Sequence, residues 1–368
     1  MDWYQLTHPE TLDTPNLLVF PDRVNHNIRT AIKTAGDVAR LRPHVKTHKT
    51  SEIAQMHLQH GIYRFKCATI AEAEMLAQAG AQEVLLAHQP VGPRIRRLVE
   101  LAQAYPKVQF GTLLDDTHVL ELLNEAAAHG QVMLDIWIDL DTGMGRSGIQ
   151  ASEEALDLYQ RIHKASQLNP RGIHAYDGHI RDREFEVRKQ QSDLAFEQVQ
   201  SFKTALEAAN LPIDSIVAGG SPTFPVHALR NGVELSPGTY PLWDAGYSMI
   251  VPEVDFQPAL VVATRIISKP GTDLITLDLG HKAIASENPL DKRIHFLHKE
   301  PYTVVKHSEE HLVVKVEDQD KWQVGDLWYG IPHHVCPTVN LHEAMEVVVE
   351  GAIRDQWEIV ARSRRIRI

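Results

Sequence analysis

The chain has 368 residues, with 37 Lys and Arg against 48 Asp and Glu, for a formal net charge of −11. That length is enough for a large core and two domains. The acidic balance argues against a nucleic-acid binder, which carries a basic face. No basic region followed by an apolar run opens the chain, and no apolar stretch reaches 18 residues, so neither a secretory signal nor a membrane span is expected. Cys67 and Cys336 are the two cysteines, too few for a disulfide framework, and a cytoplasmic protein is expected.

In chain order, apolar runs at 17–20, 39–46, 65–69, 84–88, 108–112, 132–141, 171–176 and 215–218 read as strands. Between them, segments 70–79, 91–104, 117–129, 152–166 and 185–210 carry apolar residues at helical spacing. Eight alternations predict a (β/α)8 TIM-type barrel. A ninth apolar run, 232–235, could shift the count by one. Beyond residue 250 the pattern becomes β-rich, with strands expected near 259–268, 274–279, 302–307, 311–316, 327–329 and 346–349. The expected division is a barrel over 14–246 and a C-terminal all-β domain over 247–368, joined by residues 1–13.

The basic run Leu41-Arg42-Pro43-His44-Val45-Lys46-Thr47-His48-Lys49 ends one of these strands, where α/β enzymes place their chemistry. A partly buried lysine among cations has a lowered pKa and can act as an amine nucleophile, forming a Schiff base. Lys46 and Lys49 compete for that role, and Lys46, continuing the strand, is preferred. Arg42, His44 and His48 would be the cations that hold down its pKa. A solvated basic loop is the bland alternative.

Ala218-Gly219-Gly220-Ser221-Pro222-Thr223 follows a strand and opens a short helical segment, a pattern suited to an anion. Gly238 and Tyr240, in Ser236-Pro237-Gly238-Thr239-Tyr240, could complete a phosphate cup, although both stretches could be plain turns. Asp139-Leu140-Asp141-Thr142-Gly143-Met144-Gly145-Arg146-Ser147-Gly148 contains a dinucleotide-like glycine spacing. It lies on the sixth strand rather than the first and lacks the later acidic residue. Asp141 and Arg146 read instead as polar groups at a barrel mouth. Tyr176-Asp177-Gly178-His179 offers a ring and a candidate acid–base histidine, His179. In Pro332-His333-His334-Val335-Cys336, an extended segment would present His334 and Cys336 on one face, a donor pair suited to zinc. His57 and His60 lack metalloprotease spacing and read as a helix face.

These motifs, in this order and across nearly the whole chain, resemble the fold-type III pyridoxal-phosphate enzymes: alanine racemase and, more closely, the D-threonine aldolase and eukaryotic-type D-serine dehydratase family. The resemblance implies a barrel that carries the cofactor and a β domain from a homodimer partner that closes the site. It makes Lys46 the Schiff-base lysine. Arg146 and Tyr176 would contact the cofactor. Gly219, Gly220, Ser221, Gly238 and Tyr240 would hold its phosphate, and His334 and Cys336 a divalent metal. The aldolases of the family resemble aspartate-bearing chains at position 336, so cysteine there resembles the dehydratase branch and favours Zn2+ over Mn2+ or Mg2+. The implied activity is a lyase acting on D-3-hydroxy amino acids, with dehydration of D-serine or an analogue first and a D-threonine retro-aldol second. An amino-acid racemase and a non-catalytic pyridoxal-phosphate binder are weaker alternatives. The second β domain counts against the binder.

Overall fold

The computed structural model describes residues 2–368. The first apolar run forms β1 (Asn16–Val19), followed by α1 (Pro21–Ala35) and α2 (Ser51–Gln59). Strands and helices then alternate: β2 (Arg64–Cys67), α3 (Ile70–Ala79), β3 (Glu83–Leu86), α4 (Pro93–Ala104), β4 (Gln109–Leu114) and α5 (Thr117–Gly130). The series continues with β5 (Leu134–Leu140), α6 (Glu153–Lys164), β6 (Leu168–Ala175), α7 (Phe185–Ala208), β7 (Ser215–Ala218), α8 (Phe224–Ala228), β8 (Val233–Leu235) and α9 (Ala245–Ile250). Local chemistry explains the helices. In α6, the Ser152 hydroxyl accepts from the Ala155 N–H, acidic residues fill the first turn, and Arg161, His163 and Lys164 fill the last.

Strands β2 to β8 form one parallel sheet in sequence order. Residues 41–44 close it. Arg42 N–H donates to Leu235 C=O at 2.8 Å and His44 N–H to Pro237 C=O at 2.9 Å, while Lys66 N–H donates to Pro43 C=O at 2.9 Å. The same four residues thus touch both edges, as parallel bridges Leu41–Leu235 and His44–Lys66. The expected count of eight holds with a different membership. The run at 17–20 is not a barrel strand: β1 pairs with strands of the second domain. The run at 232–235 takes the vacant place. Periodicity could not separate the two, because runs of three or four residues are too short to show a period.

Alternation along the barrel strands layers its interior. Arg42, Glu83 and Glu234 meet at one end, with Arg42 N–H groups on Glu234 at 2.6 Å and on Glu83 at 2.8 Å. Leu85, Leu113, Trp137 and Val217 fill the middle. Lys66, Asp139 and His174 lie above them, towards the carboxyl ends of the strands.

The second domain comprises β9 (Leu260–Ser268), β10 (Leu274–Leu277), β11 (Ile294–Phe296), β12 (Tyr302–His307), β13 (Leu312–Val316), β14 (Leu327–Pro332), α10 (Val335–Leu341), β15 (Ala344–Val349) and β16 (Ala352–Glu358). They form a nine-stranded sheet with β1 in its interior, antiparallel to β9 and parallel to β15. Among the described residues no helix is long and apolar enough to cross a membrane.

The Arg42 cluster yields a stability prediction. Arg42→Ala leaves two carboxylates facing one another, at a cost of about 3–5 kcal/mol, measurable as a lowered urea midpoint at constant slope. Burial works to raise the Glu83 pKa, but Arg42 and Arg64 hold it below 4.5. This contribution is therefore full above pH 4.5 and is lost as pH falls through the lower folded value. The gap between the two proteins should narrow on acidification.

Candidate active site

After its four-residue closing segment the chain folds into a 3-10 turn, Val45–Thr47, capped by the His44 ring, whose Nδ1 accepts from Lys46 N–H at 3.3 Å. Lys46 therefore sits in a turn, one step past the strand in which the sequence places it. It is half-buried and lines a cavity at the strand carboxyl ends, together with Lys66, Arg146, His174, Tyr176 and Ser221. Lys46 Nζ stands 5.8 Å from the centre of the Tyr176 ring, and the Arg146 guanidinium lies 4.7 Å over that ring. Lys49 is committed elsewhere: its Nζ bonds buried Glu72 at 2.6 Å.

The expected cationic neighbours are different residues. Arg42 is neutralised by Glu83 and Glu234. Burial pushes the pKa of His44 and His48 well below the ordinary histidine value, so both rings are neutral. The cation beside Lys46 is instead Arg146, and Lys66, whose Nζ also lies 5.8 Å from the Tyr176 ring, is a second amine in the same cavity. Sequence reasoning passed over Lys66. Its strand, Arg64–Cys67, is short, and the alternation that turns Arg64 and Lys66 inward was the available signal.

The glycine-rich loop after β7 packs against Tyr176. A Cβ on Gly220 would lie 2.8 Å from that ring, and Gly219 adopts a φ of +78°. Asp177 stiffens the loop, accepting from Thr223 Oγ1 at 2.6 Å and from His227 Nε2 at 2.8 Å. Ser221 Oγ accepts from the main-chain N–H groups of Gly238 at 3.2 Å and Thr239 at 3.1 Å. Two amides and a hydroxyl thus converge at the cavity wall, where a phosphate that displaced the Ser221 oxygen from the amides would meet all three as donors. Ser221, Gly220 and Gly238 line the cavity. The Tyr240 side chain does not: it is fully buried and donates its hydroxyl to His57 Nε2 at 2.5 Å. Gly219 lies behind the wall, against His227. His179 is exposed and lines a separate cleft with Arg181 and Asp182, away from Lys46.

The expected extended stretch at 332–338 is a helix start. His334 is the N-cap residue of α10, and Cys336 is its second residue. Asp244 forces the turn by accepting Val335 N–H at 2.9 Å. The two side chains are still close enough to shift one another's titration. Burial alone would raise the Cys336 pKa, but His334 lowers it, favouring thiolate. Glu287 accepts from His334 Nδ1 at 2.5 Å, the arrangement that orients a metal-binding imidazole. Among the described residues no third His, Cys, Asp or Glu converges on the pair. The pair supplies one nitrogen and one sulfur donor of the kind zinc takes, one fewer than the three protein ligands of its catalytic sites. Cys336 Sγ lies 3.1 Å from Thr47 Oγ1, so this chain's own second domain brings the pair beside Lys46.

Residues 19–240 match the alanine racemase N-terminal domain model, and residues 259–348 match the putative serine dehydratase domain model. The chain belongs to the fold-type III pyridoxal-phosphate family. Within that family it is 32% identical to a D-threonine aldolase from an Arthrobacter species, over 95% of this chain and 93% of the relative. It is 29% identical to a 3-hydroxy-D-aspartate aldolase from Paracoccus denitrificans, over 96% and 93% respectively. The crystal structure of D-threonine aldolase from Filomicrobium marinum superposes with a TM-score of 0.88 at 25% identity, covering 96% of each chain.

The two lysines of the opening motif should separate cleanly. Lys49→Met strands the buried Glu72 carboxylate and should cost about 3–5 kcal/mol of stability, read by denaturant unfolding. The visible absorbance of lysine-bound cofactor should survive in that variant.

Proposed function

We propose that this chain is a pyridoxal-phosphate- and metal-dependent lyase acting on D-3-hydroxy amino acids. One observation carries the reading: the Thr47–Cys336 contact sets an imidazole–thiolate pair beside a cavity that holds a lysine, an aromatic ring and a phosphate-type cup, with His334 lining the adjoining cleft. The family cofactor, when bound, supplies an electron sink for negative charge at the substrate Cα. Lys46 would hold it and, once released, take or return a proton at Cα. Tyr176 and Arg146 would bound its ring, and Ser221 with the Gly220 and Gly238 backbone would hold its phosphate. His334 and Cys336 would hold a divalent cation, zinc by preference for a sulfur–nitrogen pair, manganese or magnesium otherwise. That cation would bind the substrate β-hydroxyl. Thr47 and Thr239 flank the thiol and fix its direction.

Similarity over nearly the whole chain to two aldolases supports retro-aldol cleavage to glycine and an aldehyde. Cys336, with the match of the second domain to the serine dehydratase model, supports dehydration as the second reading. A homodimer and a cytoplasmic setting accompany both.

Product analysis tests the class. D-Threonine should yield glycine and acetaldehyde, or D-serine should yield pyruvate and ammonia, and the L-enantiomers neither. Racemised substrate without cleavage would reject the lyase reading. Lys46→Ala should abolish the visible band that borohydride removes from wild type. An unchanged band would transfer the cofactor to another amine. Exhaustive chelation should reduce turnover by about 100-fold or more, the scale of a removed electrophile, and Cys336→Ala should lower bound metal.

A further inference from the structure

Lys66 is the one lysine in the cavity for which the proposed mechanism has no task. It is 2% exposed, yet no carboxylate pairs with it among the described residues, in contrast to Lys49 and Glu72. Its single polar contact is His174 Nε2 at 3.4 Å. His174 Nδ1 is anchored on Asp139 Oδ1 at 2.7 Å, and Asp139 Oδ2 accepts from Ser147 Oγ at 3.1 Å. With Nδ1–H donated to the carboxylate, Nε2 can only accept, so Lys66 donates to it. One hydrogen of Lys66 is then satisfied, and the rest of its bonding capacity faces the cavity. A buried amine left in this state is costly unless something arrives to meet it.

We infer that Lys66 is a second amine of the active site, aimed by the Asp139–His174 pair, which donates to an anionic oxygen of the bound cofactor and gains a proton from solvent as that ligand binds. The inference rests on the pyridoxal-phosphate reading above. The groups that face Lys66 explain the coupling. Burial, then Lys46, with smaller contributions from Arg146 and Arg42, bring its pKa down to about 7, against a smaller opposing effect of Asp139. His44 and His174 face it as neutral rings, their pKa values lowered first by burial. In the apoprotein the amine is therefore largely neutral at pH 8. An anionic oxygen alongside favours the ammonium, so binding takes up a proton above pH 7 and little below it.

The decisive measurement is calorimetric titration of pyridoxine 5′-phosphate into the full-length apoprotein at pH 8, in buffers of different ionisation enthalpy. This probe carries an alcohol where the cofactor has its aldehyde and forms no bond to Lys46. Wild type should take up close to one proton more than Lys66→Met, and the variant should bind roughly tenfold or more weakly, as for a lost hydrogen bond to a charged group. His174→Ala should reduce both the uptake and the affinity. Inorganic phosphate is the second probe. An uptake seen with it alone assigns the oxygen to the phosphate, and an uptake confined to pyridoxine 5′-phosphate assigns it to the ring. Equal proton counts in wild type and Lys66→Met overturn the inference. Should Lys66→Met fail to fold, Lys66→Gln replaces it, and wild type showing no net uptake at pH 8 overturns the inference without any variant. Wild type that does not bind pyridoxine 5′-phosphate overturns the cofactor reading and this inference together.

Discussion

A parallel sheet closes into a barrel only when both of its edge strands find hydrogen-bond partners. In this chain both edges bond to the same short stretch, residues 41–44. Pro43 has no N–H to offer, and the closure uses only its carbonyl, which accepts from β2. The N–H groups of Arg42 and His44, on the other edge, reach Leu235 of β8 and Pro237, two residues beyond it. Everything at the site inherits its position from this closure. The side chain of Arg42 anchors one end of the barrel, and the turn that follows His44 delivers Lys46 to the other.

The same economy governs the interior. The inward residues of β2 are Arg64 near the closed end and Lys66 near the open one, two residues apart. One is matched by Glu83 and Glu234, and the other has only His174. An apolar layer around Trp137 separates them. Charge that serves stability is paired. Charge that serves a ligand is left facing the cavity.

Much of this was legible in the residues. The strand–helix alternation and the change to β structure near residue 250 both stand in the fold, as do the placement of Lys46, Arg146, Tyr176 and Ser221 around one cavity and the meeting of His334 with Cys336. What was not legible depends on distant contacts. Length and spacing do not tell β1 from β8, since each is only three or four residues long and its place is set by its partners. Tyr240 follows a phosphate-type motif, yet His57, from another helix, draws its hydroxyl away. His179 carries the right imidazole, but its turn points it outward. Residues 332–338 alternate like a strand, and Asp244, some 90 residues earlier, converts them into a helix start.

The interior place of β1 in the second sheet, between β9 and β15, has a consequence for how the chain is made. Its partners are β9 and β15, and Val19 pairs with Leu260, about 240 residues further on. At ~5–20 residues per second of synthesis, an apolar strand emerges roughly 12–50 s before the residues that will flank it. Both of its edges are open for that interval, which is the condition under which strands of neighbouring chains pair with one another. The barrel can complete itself while the strand waits, but the second domain cannot pair this interior strand until the chain is more than two-thirds made.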